Sequence, residues 1–468
     1  MPKYILNPAI ALRSWRLVPY AYYIKGMRDA KGLKKDEFEF LASCDGTKEI
    51  DGASPLAEKF SQMGFITPAK EGNALSDWQK PMFCDNRYFP AMEFCITGKC
   101  NYNCLHCFNA ADNAPLMSEW TLDEVKIFLE QAQKCGINGI TLTGGEPMLH
   151  PHFFEIVEEI HKRGMYVGEI NTNGHFIDNS TLDRLKSIGC DPIIKISFDG
   201  IGHHDWLRNR KGAEEHALNA IKLCKEKGFR VWAQTNVHRL NLASILPTAI
   251  MLDETGVNEM RIIRTSESPR WKQNAGDACL GVTEYYDEMF KFAGEYSKAP
   301  HKMDIDIRQF LTLFPGEKAF RVRLVECAEG EYRDSIPVCR GNRGKVAVAA
   351  NGNVYPCLQL SGTYDLWGEC LGNVKKDGLQ PLLQQGKYLD EVCTTVKTLA
   401  DKNEKCARCE YFRYCLGGCR TLAAVLTHDK LGSDPAKCEF FKKGYYEKIT
   451  ALLDGWKNLA PIGSDTRL

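Results

Sequence analysis

The chain has 468 residues, enough for two or three domains, and its hydrophobic content of 44% supports ordinary globular cores. Its 60 basic and 60 acidic residues cancel, so charge gives no reason to expect nucleic acid or an anionic membrane as a partner. Arg and Pro interrupt the apolar run at the N-terminus, and no apolar stretch of about 18 residues follows. We therefore expect a cytoplasmic protein without a signal peptide or membrane span.

The 20 cysteines are unevenly distributed along the chain. Only two fall in the first 94 residues, whereas ten fall between residues 327 and 438. Because the cytoplasm keeps thiols reduced, clustered cysteines there bind metal or do redox chemistry more often than they form disulfides. The distribution predicts at least one metal-binding region near the C-terminus.

Residues 1–80 form the first predicted unit. Runs of β-branched and aromatic residues and helical spacing of apolar residues predict three strands and two helices in it. The strands are predicted at 15–18, 21–24 and 64–67, and the helices at 34–41 and 55–63. A polar linker, residues 71–80, is predicted to follow.

Residues 90–265 alternate between strand and helix patterns. The predicted strands are 91–95, 139–143, 165–170, 192–197, 230–235 and 260–263, and the clearest helices are 121–135, 153–163 and 182–188. Six such repeats with right-handed crossovers predict a parallel α/β unit that curls into an open, partial (β/α)6 barrel. Its functional site is expected at the carboxyl ends of the strands.

The rest of the chain is predicted in three parts. Residues 266–325 are expected to be a helical connector, and residues 446–468 a C-terminal helix or tail. Between them, residues 326–445 are rich in Cys and Gly and have little periodicity, so we expect this region to lack a large core and to need metal for its fold.

Three cysteines follow the first barrel strand with the spacing C-x3-C-x2-C: Cys100, Cys104 and Cys107. Thiolates are the ligands of iron–sulfur clusters, and a four-iron cluster normally takes four of them, so this loop would leave one iron open. A zinc loop that takes its fourth ligand from elsewhere, or buried free thiols, would account for the same residues.

The second predicted strand ends in Gly144-Gly145-Glu146-Pro147. Glycines allow close backbone approach, and a carboxylate can accept hydrogen bonds from an ammonium group. Alone, this segment could be a turn with an exposed acid. Together with the three-cysteine loop, it resembles the radical S-adenosylmethionine (SAM) enzymes. The resemblance implies that SAM binds the open iron and that an electron from the cluster cleaves it, yielding a 5′-deoxyadenosyl radical that takes hydrogen from a substrate.

The resemblance also implies further SAM contacts in addition to Gly144, Gly145 and Glu146. His106, next to the third cysteine, would lie near the adenine, and Asn171 and Ser197 stand at the ends of the third and fourth strands. Arg208 matches an arginine that can pair with the SAM carboxylate, although the nearby Arg210 makes that assignment ambiguous. A strand-end cap for Ser197 and a solvated charge for Arg208 are the alternatives.

The tail contains the string Cys339-x12-Gly352-x4-Cys357, followed by Cys406-x2-Cys409-x5-Cys415-x3-Cys419 and then Cys438. This string resembles the SPASM extension of radical SAM enzymes in every spacing. The resemblance implies two auxiliary four-iron clusters, and hence three clusters in all. The first would be held by Cys406, Cys409, Cys415 and Cys438. The second would take three ligands from Cys339, Cys357 and Cys419, with Cys327 as its expected fourth ligand and Cys370 as a weaker candidate.

SPASM enzymes mostly act on peptides or proteins, and the unit before the barrel resembles the winged-helix leader-peptide domains of enzymes that modify ribosomal peptides. We therefore predict a maturase that forms a thioether or another crosslink in a precursor peptide and receives electrons from a flavodoxin or ferredoxin. One alternative is an enzyme acting on a small-molecule cofactor precursor, with the first unit as a structural cap. Another is a sulfatase-maturase-like oxidase, but Leu358 stands where that branch has Asp.

Overall fold

The structure is a computed structural model that describes residues 1–108, 117–265, 269–315, 334–339 and 344–449, together with the backbone of residues 321–324. Cys327, the expected fourth ligand of one auxiliary cluster, lies outside the described residues. So do residues 450–468, which make up most of the predicted C-terminal helix or tail. Among the described helices, none is both long and apolar enough to span a membrane.

The N-terminal unit (residues 1–84) consists of two small sheets and two helices. Its elements are β1 (Lys3–Leu6), β2 (Ile10–Trp15), β3 (Ala21–Ile24), β4 (Lys31–Gly32), α1 (Lys35–Ser43), β5 (Asp45–Glu49), α2 (Pro55–Gln62), β6 (Ile66–Pro68) and β7 (Met82–Cys84). The sheets have the strand orders β5-β1-β6 and β4-β3-β2-β7, and the helices cover a separate hydrophobic core around Phe38 and Phe60.

Two predictions for this unit need correction. The predicted strand 15–18 is instead the turn between β2 and β3, because the backbones of Trp15 and Val18 hydrogen-bond to each other. The unit also extends past residue 80, since β7 pairs in parallel with β2 and completes the second sheet.

The barrel confirms the predicted parallel α/β unit. Its elements are β8 (Ala91–Thr97), α3 (Leu122–Lys134), β9 (Gly139–Gly144), α4 (Phe153–Lys162), β10 (Tyr166–Thr172), α5 (Asn179–Ser187), β11 (Ile193–Ser197), α6 (His204–Arg208), α7 (Ala213–Glu226), β12 (Arg230–Val237), α8 (Ile245–Glu254) and β13 (Glu259–Arg264). The six strands are adjacent in chain order and all parallel, and helices with buried apolar faces connect them. This order brings the carboxyl ends of all six strands to one edge.

The segment predicted as a helical connector also contributes strands. It contains α9 (Pro269–Asn274), α10 (Val282–Tyr296), β14 (Asp304–Ile307), β15 (Leu311–Phe314) and β16 (Arg321–Leu324). Strand β14 pairs in parallel with β13, and β15 and β16 continue the sheet antiparallel. These strands are only four residues long, which is why the helical pattern of α10 dominated the prediction.

The cysteine-rich tail packs on the barrel more extensively than predicted. Its elements are β17 (Lys345–Val348), β18 (Val354–Tyr355), α11 (Ser361–Leu366), α12 (Val374–Asp377), α13 (Leu379–Gln384), α14 (Lys387–Val392), α15 (Val396–Lys402), α16 (Glu404–Ala407), α17 (Phe412–Cys415), α18 (Arg420–Thr427) and α19 (Pro435–Lys442). Strand β17 pairs in parallel with β8, and apolar residues such as Leu379 and Tyr388 join the barrel core. Much of the tail therefore shares the barrel's core.

The N-terminal unit contacts the barrel where the strands begin. The indole Nε1 of Trp15 donates to the carbonyl of Cys135 at 3.0 Å, and the Tyr23 hydroxyl donates to the carbonyl of Gly136 at 3.0 Å. Both acceptors precede β9. A Cβ on Gly136 would lie 2.6 Å from the Trp15 ring, so the close contact between the two units requires glycine there.

Candidate active site

The residues predicted for the site meet at the carboxyl ends of adjacent strands. The three-cysteine loop follows β8, Gly144 ends β9, Asn171 lies at the end of β10, and Ser197 ends β11. Strands β8 to β11 are neighbours in one parallel sheet, so these positions, far apart in sequence, share one edge of the barrel.

The three cysteines of the loop form one side-chain cluster. Cys104 is buried, Cys100 and Cys107 are half-buried, and all three pack with Tyr102 and with Ala213 at the start of α7. Burial raises the pKa of the Cys100 thiol to about 12. Burial also raises the pKa of the Cys104 thiol, so without a metal to bind their thiolates both cysteines are expected to stay protonated.

Three thiols on one buried loop fit three corners of a four-iron cluster, in which each iron takes its own thiolate. Among the described residues, no group of three His, Cys, Asp or Glu side chains could hold a metal ion. Ligands of a cluster surround a cube and need not converge on a single point, so this spacing is compatible with the cluster.

Gly144 and Gly145 allow the end of β9 to lie directly against the cysteine loop. A Cβ on Gly145 would lie 2.2 Å from the carbonyl oxygen of Lys99, and one on Gly144 would lie 2.5 Å from that of Thr97. The backbone N–H groups of Gly145 and Glu146 donate to these same two carbonyls. The two glycines thus allow the end of β9 to approach the cysteine loop of the same chain.

Glu146 is fully buried, which excludes the exposed turn considered from the sequence. Its carboxylate accepts hydrogen bonds from Thr172 Oγ1 at 2.9 Å, from the Asn173 N–H at 2.8 Å and from the Met148 N–H at 3.2 Å. Burial raises its pKa to about 7 in spite of these bonds. Glu146 therefore connects the end of β9 to the end of β10.

Other predicted contacts bring polar atoms to the same edge. His106 and Asn171 are half-buried, and the structure gives no hydrogen-bond partner to the buried His106 Nδ1 and Asn171 Oδ1. Burial, followed by the charge of Arg208, lowers the pKa of His106 to about 3, so its ring is neutral at ordinary pH. Ser197 is half-buried at the end of β11. Such unsatisfied polar atoms are the groups that a polar cofactor would satisfy.

Arg208 and Arg210, the two arginines that the sequence could not tell apart, lie in different environments. Arg208 is 7% exposed and forms a bidentate pair with Asp199, with Nε to Oδ2 at 2.7 Å and Nη2 to Oδ1 at 3.1 Å. Arg210 is exposed and lies over the Tyr102 ring, 6.0 Å from its centroid. The solvated-charge alternative for Arg208 is therefore wrong, and Arg210 occupies that position instead.

Burial acts to raise the pKa of Asp199, but the charge of Arg208 and the hydrogen bond to His204 outweigh it and hold the pKa well below the ordinary range. The Arg208 Nη1 reaches Cys104 Sγ at 3.9 Å. A buried ion pair thus lies next to the cysteine loop.

Sequence reasoning missed His238, which directly follows β12. It is fully buried, neither ring nitrogen has a hydrogen-bond partner, and burial lowers its pKa to about 4. Its ring packs against Trp206 and Trp271, with centroids 4.9 and 6.0 Å away. Its place at the end of the fifth strand was a signal that could have identified it.

Six of the seven cysteines expected to ligate the auxiliary clusters lie in two groups in the tail. The thiols of Cys419 and Cys339 lie close enough to Cys357 to contribute to its pKa, which burial raises to about 12. In the second group, the thiol of Cys438 lies close enough to Cys415 to contribute to its pKa, and Cys406 contributes to the pKa of Cys438. Cys409, three residues after Cys406, is exposed. Cys370 is exposed, and its thiol contacts Asn353 at 3.8 Å.

The family models agree with this arrangement. The model of the radical SAM superfamily matches residues 94–249, and the SPASM model, an iron–sulfur cluster-binding domain, matches residues 339–410. The chain thus contains a radical SAM domain followed by a SPASM domain. The two domains imply SAM and four-iron, four-sulfur clusters, including auxiliary clusters in the SPASM domain. When bound, the cluster of the radical SAM domain would supply the electron that cleaves SAM.

Similar proteins differ in what their names say they act on. The AdoMet-dependent heme synthase of Methanosarcina barkeri is 26% identical over 348 residues, which cover 73% of this chain and 93% of that protein. The PqqA peptide cyclase of Gluconobacter oxydans is 25% identical over 373 residues, which cover 78% of this chain and 94% of that protein. The fold resembles that of Streptococcus suis SuiB bound to precursor peptide SuiA, with a TM-score of 0.63 and 14% identity over 92% of this chain and 98% of that chain.

Proposed function

We propose that this radical SAM enzyme modifies a ribosomally made precursor peptide. The 5′-deoxyadenosyl radical takes a hydrogen atom from the peptide. A thioether or another crosslink then forms as the peptide radical loses a second hydrogen as a proton and an electron, and the electron passes to an auxiliary cluster. In this proposal His106, Asn171, Ser197 and the segment around Glu146 contact SAM, the SPASM cysteines hold two auxiliary clusters, and a flavodoxin or ferredoxin supplies electrons.

The observation that carries the proposal is the extent of the similarity to SuiB. A match over 92% of the chain is longer than residues 85–468, so it includes part of the N-terminal unit. SuiB was crystallised with a precursor peptide, and a unit of similar fold before the barrel supports a peptide-binding role here. In addition, the PqqA peptide cyclase is among the relatives.

The surface of the N-terminal unit supports the same role. Strand β7 is an edge strand, and Phe83 in its centre is 72% exposed. Of the eleven large hydrophobic side chains exposed in the described part of the chain, five belong to this unit: Met1, Leu17, Met27, Met63 and Phe83. An edge strand that carries an exposed aromatic side chain is suited to pairing with an extended peptide, in which backbone bonds give affinity and pockets give specificity.

The position of the N-terminal unit sets a requirement on the substrate. The unit contacts the amino ends of the barrel strands, whereas the cysteine loop lies at their carboxyl ends. A strand of six residues, such as β9, spans roughly 20 Å. A peptide docked on the unit therefore needs a spacer of at least about six extended residues before its modified residue.

The test compares two point variants, because deleting the N-terminal unit would uncover the barrel surface under Trp15. In Phe83→Ser, the edge strand loses its exposed aromatic side chain. Leu366→Ser is the matched control, since Leu366 is 69% exposed but lies in α11 of the SPASM region. Both enzymes are loaded with iron anaerobically and given SAM, dithionite and, in separate assays, each short cysteine-containing peptide that the flanking open reading frames encode.

We expect the unchanged enzyme to give a product lighter by two hydrogen atoms for each crosslink, measured by mass spectrometry. At low peptide concentration, Phe83→Ser should lower product formation several-fold, while Leu366→Ser should not, and SAM cleavage without peptide should be equal in both. Equal product formation by both variants would remove β7 from peptide binding. No product from any enzyme would contradict the peptide proposal.

A second candidate function is modification of a small-molecule cofactor precursor, with the N-terminal unit as a structural cap. The similarity to the heme synthase of Methanosarcina barkeri favours it. The same assay with the tetrapyrrole precursor of heme in place of the peptide tests this candidate. The sulfatase-maturase alternative has less support, because Leu358 is buried in a short turn after Cys357 and places no carboxylate there.

A further inference from the structure

The guanidinium of Arg208 has two kinds of partner at once. Two of its nitrogens donate to both carboxylate oxygens of Asp199, and the third, Nη1, lies 3.9 Å from Cys104 Sγ, within hydrogen-bond reach for a sulfur acceptor. A bidentate pair fixes the plane of the guanidinium. The direction of Nη1 is therefore set by Asp199.

Asp199 is itself held rigidly. It is fully buried, and its Oδ1 accepts the backbone N–H of Asn236 at 2.9 Å. The Asn241 side chain donates to the Asp199 backbone carbonyl at 2.7 Å, and His204 Nδ1 lies 3.0 Å from Oδ2. Desolvation makes a buried ion pair a weak source of stability, so this arrangement is better explained by what it does for the neighbouring thiol.

We propose that Arg208, oriented by Asp199, donates a charge-assisted hydrogen bond to the Cys104 thiolate and raises the reduction potential of the SAM-binding cluster. Hydrogen bonds to the sulfurs and local charge are among the factors that set iron–sulfur potentials. An added electron makes the cluster more negative, so a nearby positive charge stabilises the reduced form more than the oxidised form. The inference rests on a cluster held by Cys100, Cys104 and Cys107, and is independent of the substrate.

This role differs from pairing with the SAM carboxylate, which the sequence suggested for Arg208. A partner of the carboxylate matters only when SAM is bound. A donor to Cys104 changes the cluster in the absence of SAM. The two roles can therefore be separated by measuring the potential without SAM and the SAM affinity independently.

The experiment uses three full-length variants loaded with iron. Arg208→Gln removes the charge and the donor. Because this leaves Asp199 buried without its partner, the double variant Asp199→Asn, Arg208→Gln removes both charges. Arg210→Gln is the matched control, since Arg210 is exposed and its charge is screened by solvent and salt. Each enzyme is titrated with a reductant while its cluster signals are recorded by electron paramagnetic resonance. The signal of the SAM-binding cluster is identified as the one that is absent when Cys100, Cys104 and Cys107 are all changed to Ala.

At the midpoint potential of the unchanged cluster, we expect the ratio of reduced to oxidised cluster to fall at least tenfold in Arg208→Gln, equal to a shift of about −59 mV for one electron. The double variant should shift in the same direction by less, and Arg210→Gln should not shift. Unchanged potentials with weakened SAM binding would overturn the inference in favour of the carboxylate role. Loss of this cluster from both Arg208 variants would assign the pair a structural role only, which would also overturn it.

Discussion

The barrel site and the SPASM tail hold their cysteines in different ways. Cys100, Cys104 and Cys107 lie within eight residues, on a loop fixed by Gly145, Glu146 and the Asp199–Arg208 pair. The tail gathers Cys339, Cys357 and Cys419 from across about eighty residues, through helices that are often only four to eight residues long. We therefore expect the barrel to form its site without iron, and the tail to rely more on iron to join its parts.

The physical reason is loop closure. A link between distant residues removes more entropy from the unfolded chain than one between neighbours, so a cluster stabilises the tail more than the barrel loop. The tail still packs on the barrel through β17 and α13, so iron is expected to order its outer part around α16 and α17, and not the whole tail. Each prediction below tests this contrast.

The largest effect is expected from changing Cys100, Cys104 and Cys107 together to Ala. Formation of 5′-deoxyadenosine should be abolished, because the iron that binds SAM has no ligands. The melting temperature should be unchanged, since the loop is held by other contacts, and the auxiliary clusters should keep their iron. Twelve irons per chain are expected before the change and about eight after it, from four-iron sites. A triple variant that unfolds would contradict the view that the barrel site is preformed.

The second prediction concerns the tail. Changing Cys406 and Cys438 to Ala should destabilise the region around α16 to α19, because one cluster loses ligands that lie 32 positions apart in the sequence. A covalent link that closes a loop of about this length is worth about 3–4 kcal/mol. Limited proteolysis should cut the tail between residues 400 and 445 in the variant while the barrel stays intact. Equal resistance in variant and parent would show that apolar packing alone holds the tail.

A pH effect is expected from Glu146 in the protein without iron. Its pKa is raised from an ordinary 4.5 to about 7, chiefly by burial. Below pH 4.5 the carboxyl is protonated in both folded and unfolded chains. Between pH 4.5 and 7 the unfolded chain ionises first, so stability falls as pH rises, by on the order of 3 kcal/mol in total, and the loss is complete above pH 7.

Melting temperatures of the parent and of Glu146→Gln between pH 5 and 8 test this effect. The parent should lose stability with rising pH relative to the variant, because Gln cannot ionise. Identical pH dependence would mean that the folded protein does not perturb Glu146.

The contrast between the two regions also explains how far the sequence could predict the structure. The barrel strands were predicted to within two residues at each end, because β-branched residues dominate strands such as β9 and β11. The tail was underestimated, because β17 and the short helices derive their burial from a barrel that is distant in sequence. At the site, the cysteines, Gly145 and Glu146 followed from the family resemblance that their motifs carry, whereas the pairing of Asp199 with Arg208 depends on three-dimensional neighbours that no local pattern contains.

The smallest effect concerns one methyl group at the contact between β9 and the cysteine loop. In Gly145→Ala the new Cβ would lie 2.2 Å from the Lys99 carbonyl oxygen, so the loop must move by more than an ångström while both elements stay folded. Misplacing a reacting centre by about that distance can cost up to a hundredfold in rate, and we expect at least a tenfold loss of SAM cleavage.

Gly294→Ala is the matched control for this change. Gly294 lies within α10, and a Cβ there has no atom within 4 Å, so the control should keep full activity and gain slightly in stability. Both variants should keep their auxiliary iron. If Gly145→Ala cleaved SAM as fast as Gly294→Ala, the loop would adjust without cost, and the barrel site would depend on iron for its shape in the same way as the tail.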